Sequence, residues 1–386
     1  MKLRTLLLLA LTIILVANGL AATPPAPRTV DLTAADGTKL KATYFSAGKP
    51  GPGILLLHQC NRQRKMWDPL ATSLAETGFN VITLDFRGFG ESGGKPFDQL
   101  SPQERAQAVA DKFPGDVDIA YQYLVSQSGV KRDMIGAGGA SCGVNQSVQL
   151  ARRHPEVKSL VLLSGTTDRA GREFLRHSPQ LPLFTSAADD DPGAVDLMQW
   201  ILSSSSNPGN QFQHYKDGGH GIEMFAPHKE LSGLIVNWFD TTLIKTPGRA
   251  PENKALDTKS FKILNMLEEP GGPQNVTNML ADARKRDPNA VLFPETVVNL
   301  MGYEHLQSGD TKGAIEILRL NVTANPSSAN TYDSLSDAYL ADGQKKLART
   351  YAQKAISVLA VDTNIPEARR KLIRDSAEGK LKELDK

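Results

Sequence analysis

Gly139-Ala140-Ser141-Cys142-Gly143 sets one serine between two glycines at the spacing of a strained strand-to-helix turn. A side chain at the apex of such a turn stands clear of its sheet, and the flanking glycines remove the Cβ atoms that would collide where strand and helix close up. The flanks agree: residues 133–137 read as a short strand, and 144–153 as a helix with apolar Val148, Leu150 and Ala151. The spacing predicts an exposed, reactive Ser141. A bare motif of this kind recurs by chance in Gly/Ser-rich loops, so its meaning rests on the remainder of the chain.

Outward from the turn, short apolar or β-prone runs alternate with helix-like segments. The runs lie at residues 30–32, 39–45, 54–57, 81–84, 134–137, 160–163, 183–185 and 212–215, and Asp36-Gly37 marks a tight hairpin between the first two. Helical patterns occupy residues 67–76, 117–125 and 195–202, and another at 231–239 follows the last strand. This order predicts an α/β fold, a mainly parallel sheet covered by helices on both faces, with functional loops at the carboxyl ends of its strands.

Residues 246–251, Thr-Pro-Gly-Arg-Ala-Pro, break both helix and strand. The expected organisation is an α/β domain over residues 28–245, a linker at 246–253 and an all-α domain at 254–386. Gly302, Gly309 and Ala314 recur 34 residues later as Ser336, Gly343 and Ala348, the period of tetratricopeptide-like helical hairpins. Residues 261–286 offer an earlier, degenerate helix pair. The charged stretch 367–386 reads as a solvated capping helix or a frayed tail.

The chain has 386 residues, 40% of them hydrophobic, and a formal net charge of +2. Near-neutrality leaves no electrostatic footprint for nucleic acid or an anionic membrane surface. Residues 1–22 combine Lys2 and Arg4, an apolar run at 6–16, and small residues Ala17, Gly19, Ala21 and Ala22. The run is shorter than the ~20 residues needed to cross a bilayer, so it reads as a removable signal peptide and not as a stable membrane anchor. Export is expected, to a periplasm rather than by full secretion.

A serine hydroxyl is a poor nucleophile at neutral pH and needs a base, which in turn needs a carboxylate to orient it. His220 lies in Asp217-Gly218-Gly219-His220-Gly221, just after the last expected strand. The carboxylate is expected from Asp189, Asp190 or Asp191, which stand in a row after the 183–185 strand.

With these residues the chain resembles the α/β-hydrolase family, in particular its compact dienelactone-hydrolase-like members. The order Ser141, aspartate, His220 is the family's order, and Asp85-Phe86-Arg87-Gly88-Phe89-Gly90-Glu91-Ser92 is similar to its D-x-R-G-x-G-x-S loop. The resemblance covers about residues 30–243. It implies Asp191 as the acid, from its spacing to Pro182, with Asp189 as the alternative. It also implies an oxyanion hole formed by the backbone amides of Cys142 and Cys60, although His58-Gln59 stands where many relatives have His-Gly. The only two cysteines then become neighbours, either joined as a disulfide or present as two buried thiols.

The stretch 164–181 is too short for a large cap, and Met66, Trp67, Phe89, Phe113 and Phe174 are candidate pocket residues. No phosphate-binding glycine loop or metal-ligand spacing is present, and serine chemistry requires neither cofactor nor metal. The expected activity is an exported serine hydrolase of ester-like bonds, acting on a small-molecule acyl substrate through an acyl-enzyme. The alternatives are a peptidase with the same triad, or a degenerate hydrolase serving as a protein-binding scaffold. The helical domain suggests a protein or peptide partner, or self-association.

Overall fold

The structure, a computed structural model, describes residues 24–253, 258, 261–361 and 367–385. The expected signal peptide lies outside them. Eight strands are present: β1 (Arg28–Thr33), β2 (Lys39–Phe45), β3 (Gly51–Leu57), β4 (Asn80–Leu84), β5 (Val130–Ala140), β6 (Val157–Leu163), β7 (Leu183–Ala188) and β8 (Gln211–Tyr215). They form one sheet in the order β1-β2-β4-β3-β5-β6-β7-β8. The β1–β2 and β2–β4 pairs are antiparallel, and every later pair is parallel.

Seven helices accompany the sheet: α1 (Asp68–Thr77), α2 (Pro102–Gln107), α3 (Phe113–Ser126), α4 (Cys142–Arg153), α5 (Arg169–Arg176), α6 (Ala194–Ser204) and α7 (Glu230–Phe239). Successive side chains of a strand point to opposite faces, so a strand covered on both sides must be apolar throughout. Strand β3 shows this directly. Leu55 and Leu57 join a core with Val117 and Leu124 of α3, Val144 and Val148 of α4, and Met198 of α6. Ile54 and Leu56 join the opposite core with Leu70 and Leu74 of α1 and Ile235 and Trp238 of α7.

Beyond the sheet the described residues are helical: α8 (Lys262–Leu267), α9 (Gly272–Arg286), α10 (Glu295–Gln307), α11 (Thr311–Ala324), α12 (Ala329–Ala341), α13 (Lys345–Val361) and α14 (Glu367–Leu384). The 34-residue recurrence corresponds to two helix pairs, α10–α11 and α12–α13, turned at Gly309 and Gly343, which both have positive φ. Helix α14 is packed, not frayed: Ile373 and Ala377 are buried against α12 and α13, and the Lys380 ammonium reaches Asp337 at 2.6 Å. The first helices of this region share a core with α6, in which Trp200 is buried among Phe261, Leu264, Val297 and Met301. Among the described residues, no helix is long and apolar enough to cross a membrane.

Candidate active site

The parallel register brings five loops to one edge. Leu57 pairs with Gly139, Ala140 with Leu163, Leu163 with Ser186, and Ala188 with Tyr215. The segments after β3, β5, β6, β7 and β8 therefore leave the sheet side by side, and these carry Cys60, Ser141, Ser164, the three aspartates and His220. Residues far apart in sequence meet because the strands ending beneath them are neighbours.

Ser141 sits between β5 and α4 with φ 52° and ψ −117°, a conformation rarely adopted by a residue with a side chain. Close packing holds it there. A Cβ on Gly139 would collide with the Gly143 carbonyl, and one on Gly143 with the Leu57 carbonyl, so both flanking positions require glycine. The Ser141 amide donates to the Leu163 carbonyl at 2.9 Å. Among the described residues its hydroxyl has no hydrogen-bond partner, and His220 is not bonded to it. In substrate-free sites such contacts are often long.

His220 Nδ1 lies 2.7 Å from Asp191 Oδ2. That bond raises the imidazole's pKa above its ordinary value, against the opposing effect of burial and with help from the Asp191 and Glu223 charges. A carboxylate acceptor fixes the proton on Nδ1 and leaves Nε2 as the free base. His220 remains 35% exposed, while Asp191 is 13% exposed.

The other two aspartates are exposed, and each has a partner of its own. Asp190 accepts hydrogen bonds from the Gly218 and Gly219 amides at 3.1 and 3.0 Å, and Asp189 lies 2.6 Å from His214 Nε2. All three consecutive carboxylates thus face β8 or the loop that follows it, with Asp190 holding that loop and Asp191 its histidine.

Gln59 does more than fill space. Its Oε1 accepts from the Ile222 amide at 3.0 Å and its Nε2 donates to Asn61 at 2.8 Å, tying the histidine loop to the loop after β3. A Cβ on Gly221, next to His220, would lie 2.5 Å from Gln59 Oε1 and 3.2 Å from Ala140 Cβ, which places this loop against the serine turn. His58 serves the frame: fully buried, it accepts from the Phe86 amide at Nε2 and donates to the Gln59 carbonyl, and burial pushes its pKa down to about 4.

Cys60 and Cys142 are joined as a disulfide that spans 82 residues. It links the two loops whose amides the family resemblance assigns to the oxyanion hole, and among the described residues neither amide has an acceptor. The D-x-R-G-x-G-x-S loop braces the same region. Buried Asp85 accepts from the amides of Arg64 and Glu91 and pairs with the Arg64 guanidinium, which also reaches Glu91 and Thr43. Ser92 closes the loop by donating to the Asp85 carbonyl at 2.7 Å.

A cleft of about 650 Å³ opens beside Cys60, lined by Phe89, Phe97, Arg62 and Arg105 among others. Of the candidate pocket aromatics, Phe89 lines this cleft. Trp67 and Phe113 are fully buried in the two cores, and Met66 and Phe174 pack at the core margins. The short α5 is the only helix in the 164–181 stretch, as its length required.

Residues 52–182 match the family described as alpha/beta hydrolase fold. An uncharacterized protein of Mycobacterium tuberculosis is 32% identical over 170 residues, 44% of this chain and 56% of that one. A thiohydrolase of Aspergillus aculeatus is 23% identical over 145 residues, 37% of this chain and 43% of its own length. The chain spans about half the length of these curated relatives. Among solved structures, the Pyrococcus furiosus esterase Pf2001 aligns with a TM-score of 0.46 and 19% identity, covering 57% of this chain and 91% of the esterase. A dienelactone hydrolase-like promiscuous phosphotriesterase from metagenomic libraries aligns at 0.43 and 16%, covering 55% and 98%. The sheet order, the strained serine turn and the family match together give this chain an α/β-hydrolase fold, to which it adds a C-terminal all-helical region.

Proposed function

We propose that the chain is a serine hydrolase of ester-like bonds. The observation that carries this reading is the Asp191–His220 pair, 2.7 Å apart, on a loop packed against the turn that holds Ser141 at φ 52°. In this mechanism Ser141 Oγ attacks the substrate carbonyl as His220 Nε2 takes its proton, and the tetrahedral oxyanion is met by the amides of Cys60 and Cys142. Collapse breaks the ester bond, and the leaving alcohol receives the proton from His220. Water, activated by the same imidazole, then attacks the acyl-Ser141 ester and releases the acid. Each oxyanion donor contributes on the order of 3 kcal/mol to such a step. The cleft beside Cys60 offers space for one side of the substrate.

The localisation that fits this reading is an exported, periplasmic one. The pattern of residues 1–22 supports it, as does the disulfide, because such bonds persist in oxidising compartments. Sequencing the N-terminus of natively produced protein tests it, with a start at Ala22 or Thr23 expected. The catalytic reading is tested by turnover of short acyl esters. Wild type is expected to hydrolyse them with a detectable acyl-enzyme mass, and Ser141→Ala to lose on the order of 10⁴-fold or more in kcat. Equal rates in the two proteins would remove the site.

A further inference from the structure

The loop between β6 and α5 borders the serine turn, and it too is strained. Ser164 is the only residue other than Ser141 and the glycines with positive φ among the described residues, at 44°. It is 1% exposed, and its hydroxyl has no partner. A Cβ on Gly165 would stand 2.6 Å from the Ser141 carbonyl oxygen. Such a backbone persists only when its surroundings hold it from several sides.

One side of the hold is the nucleophile's own helix. Asn145, four residues after Ser141, accepts from the Thr167 hydroxyl at 2.7 Å and the Asp168 amide at 3.2 Å. The Asn145 and Gln149 side-chain amides donate to the Asp168 carboxylate at 3.2 and 2.8 Å. The other side is the helical region. Fully buried Arg172 donates to the Thr167 carbonyl at 2.5 Å and forks to two carboxylates, Glu268 after α8 and Glu304 on α10, with contacts of 2.5 to 3.0 Å. Its guanidinium lies 3.7 Å from the centre of the Trp200 ring, and Arg176 shares Glu268 at 2.8 Å. A planar guanidinium matched to two carboxylates has little freedom to move, so the carbonyl it holds is fixed as well.

We propose that Glu268 and Glu304 are positioning residues for Ser141, clamping the 164–168 loop against α4 through Arg172, so that the helical region is a working part of the active site. The proposal rests on Ser141 being the nucleophile. No residue of the clamp lines the cleft beside Cys60, so loosening it is expected to lower kcat and leave KM nearly unchanged.

The test uses the full chain with Glu304→Gln, the Glu268→Gln/Glu304→Gln double variant, Arg172→Lys, and Lys312→Ala as a control at an exposed lysine elsewhere in the helical region. The single Glu304→Gln variant keeps Glu268 in place and so serves if the double variant does not fold. Two readouts are taken: amide hydrogen exchange, and the rate of labelling by a fluorophosphonate probe. In folded clamp variants, exchange is expected to rise at least tenfold in residues 164–172 and 142–149, with labelling slowed about tenfold. Lys312→Ala is expected to behave as wild type, and Arg172→Lys to fall between. Faster exchange confined to the helical region, with labelling unchanged, would overturn the clamp. Absence of labelling in folded wild type contradicts the nucleophile reading instead, and so is distinct from failure of the clamp, which leaves wild type and variants labelled alike.

Discussion

At the carboxyl edge of the sheet, the Ser141 hydroxyl, His220 Nε2 and the amides of Cys60 and Cys142 stand without partners among the described residues. In the helical region comparable groups meet one another: the Tyr303 hydroxyl donates to Asp337 at 2.7 Å, Lys380 reaches the same carboxylate at 2.6 Å, and Asn330 bridges Glu295 and Arg369. Groups already paired hold a structure together, whereas groups kept open in a braced frame are available to a ligand. On the proposed reading, the contrast places chemistry in one region and support in the other. Arg172 joins the two, because its buried fork binds carboxylates of the helical region and a carbonyl beside the serine turn.

The contrast is strained most by substituting at the open edge. Asp191→Asn is expected to lower kcat about 10⁴-fold with little effect on folding, because the imidazole loses its tautomer and orientation. The same pair fixes the pH response. His220 must be neutral to act as base, and its pKa is raised chiefly by the bond to Asp191. Activity should therefore rise with pH through a midpoint above the ordinary value of about 6.5, and that midpoint should fall in residual Asp191→Asn activity. For stability the sign is opposite. The pairing stabilises the fold fully below the unfolded pKa, and this contribution is lost as pH rises through the raised folded value. A pH–rate profile and melting curves across pH 5–9 check both.

Reducing the Cys60–Cys142 bond sharpens the comparison next. Closing a loop of 82 residues is worth about 4 kcal/mol in the chain-entropy account, so denaturant midpoints should fall clearly with a dithiol reductant. Unchanged midpoints would show that the bond does not constrain the unfolded chain. Gln59→Ala is a smaller perturbation. It leaves the Ile222 amide without its acceptor and should cost about 1–2 kcal/mol, with kcat reduced more than KM if the histidine loop shifts. At the far end of the scale, Lys312→Ala removes an exposed lysine from Asp342, which keeps its bonds from Thr311 and Gln344, and should leave both melting temperature and activity unchanged within error.

The sheet and five of its seven covering helices were legible because those strands are short apolar or β-prone runs and those helices separate amphipathic segments, signals that need only neighbouring residues, whereas the short α2 and α5 were not anticipated. Within the site, local spacing singled out Ser141 and His220, but the row of aspartates did not divide itself. The preference for Asp191 came from family resemblance, and the tasks of Asp189 and Asp190 depend on which atoms of β8 and its loop stand opposite. Gln59 was visible as a departure from His-Gly, but its task lies 163 residues away at Ile222. Arg172 gave no signal at all. It reads as a charge on a short helix, and its partners are 96 and 132 residues distant. Partners brought together only by the tertiary fold leave no periodicity in one chain.

The central claim is that Ser141 is an activated nucleophile beside a working oxyanion hole. Its most direct test is peptide mapping of the full chain after reaction with a fluorophosphonate probe, with Ser141→Ala in parallel. A single phosphonyl adduct on Ser141, absent from the variant, is the predicted result. Folded wild type that carries no adduct, or equal labelling of the Ser141→Ala protein, would contradict it.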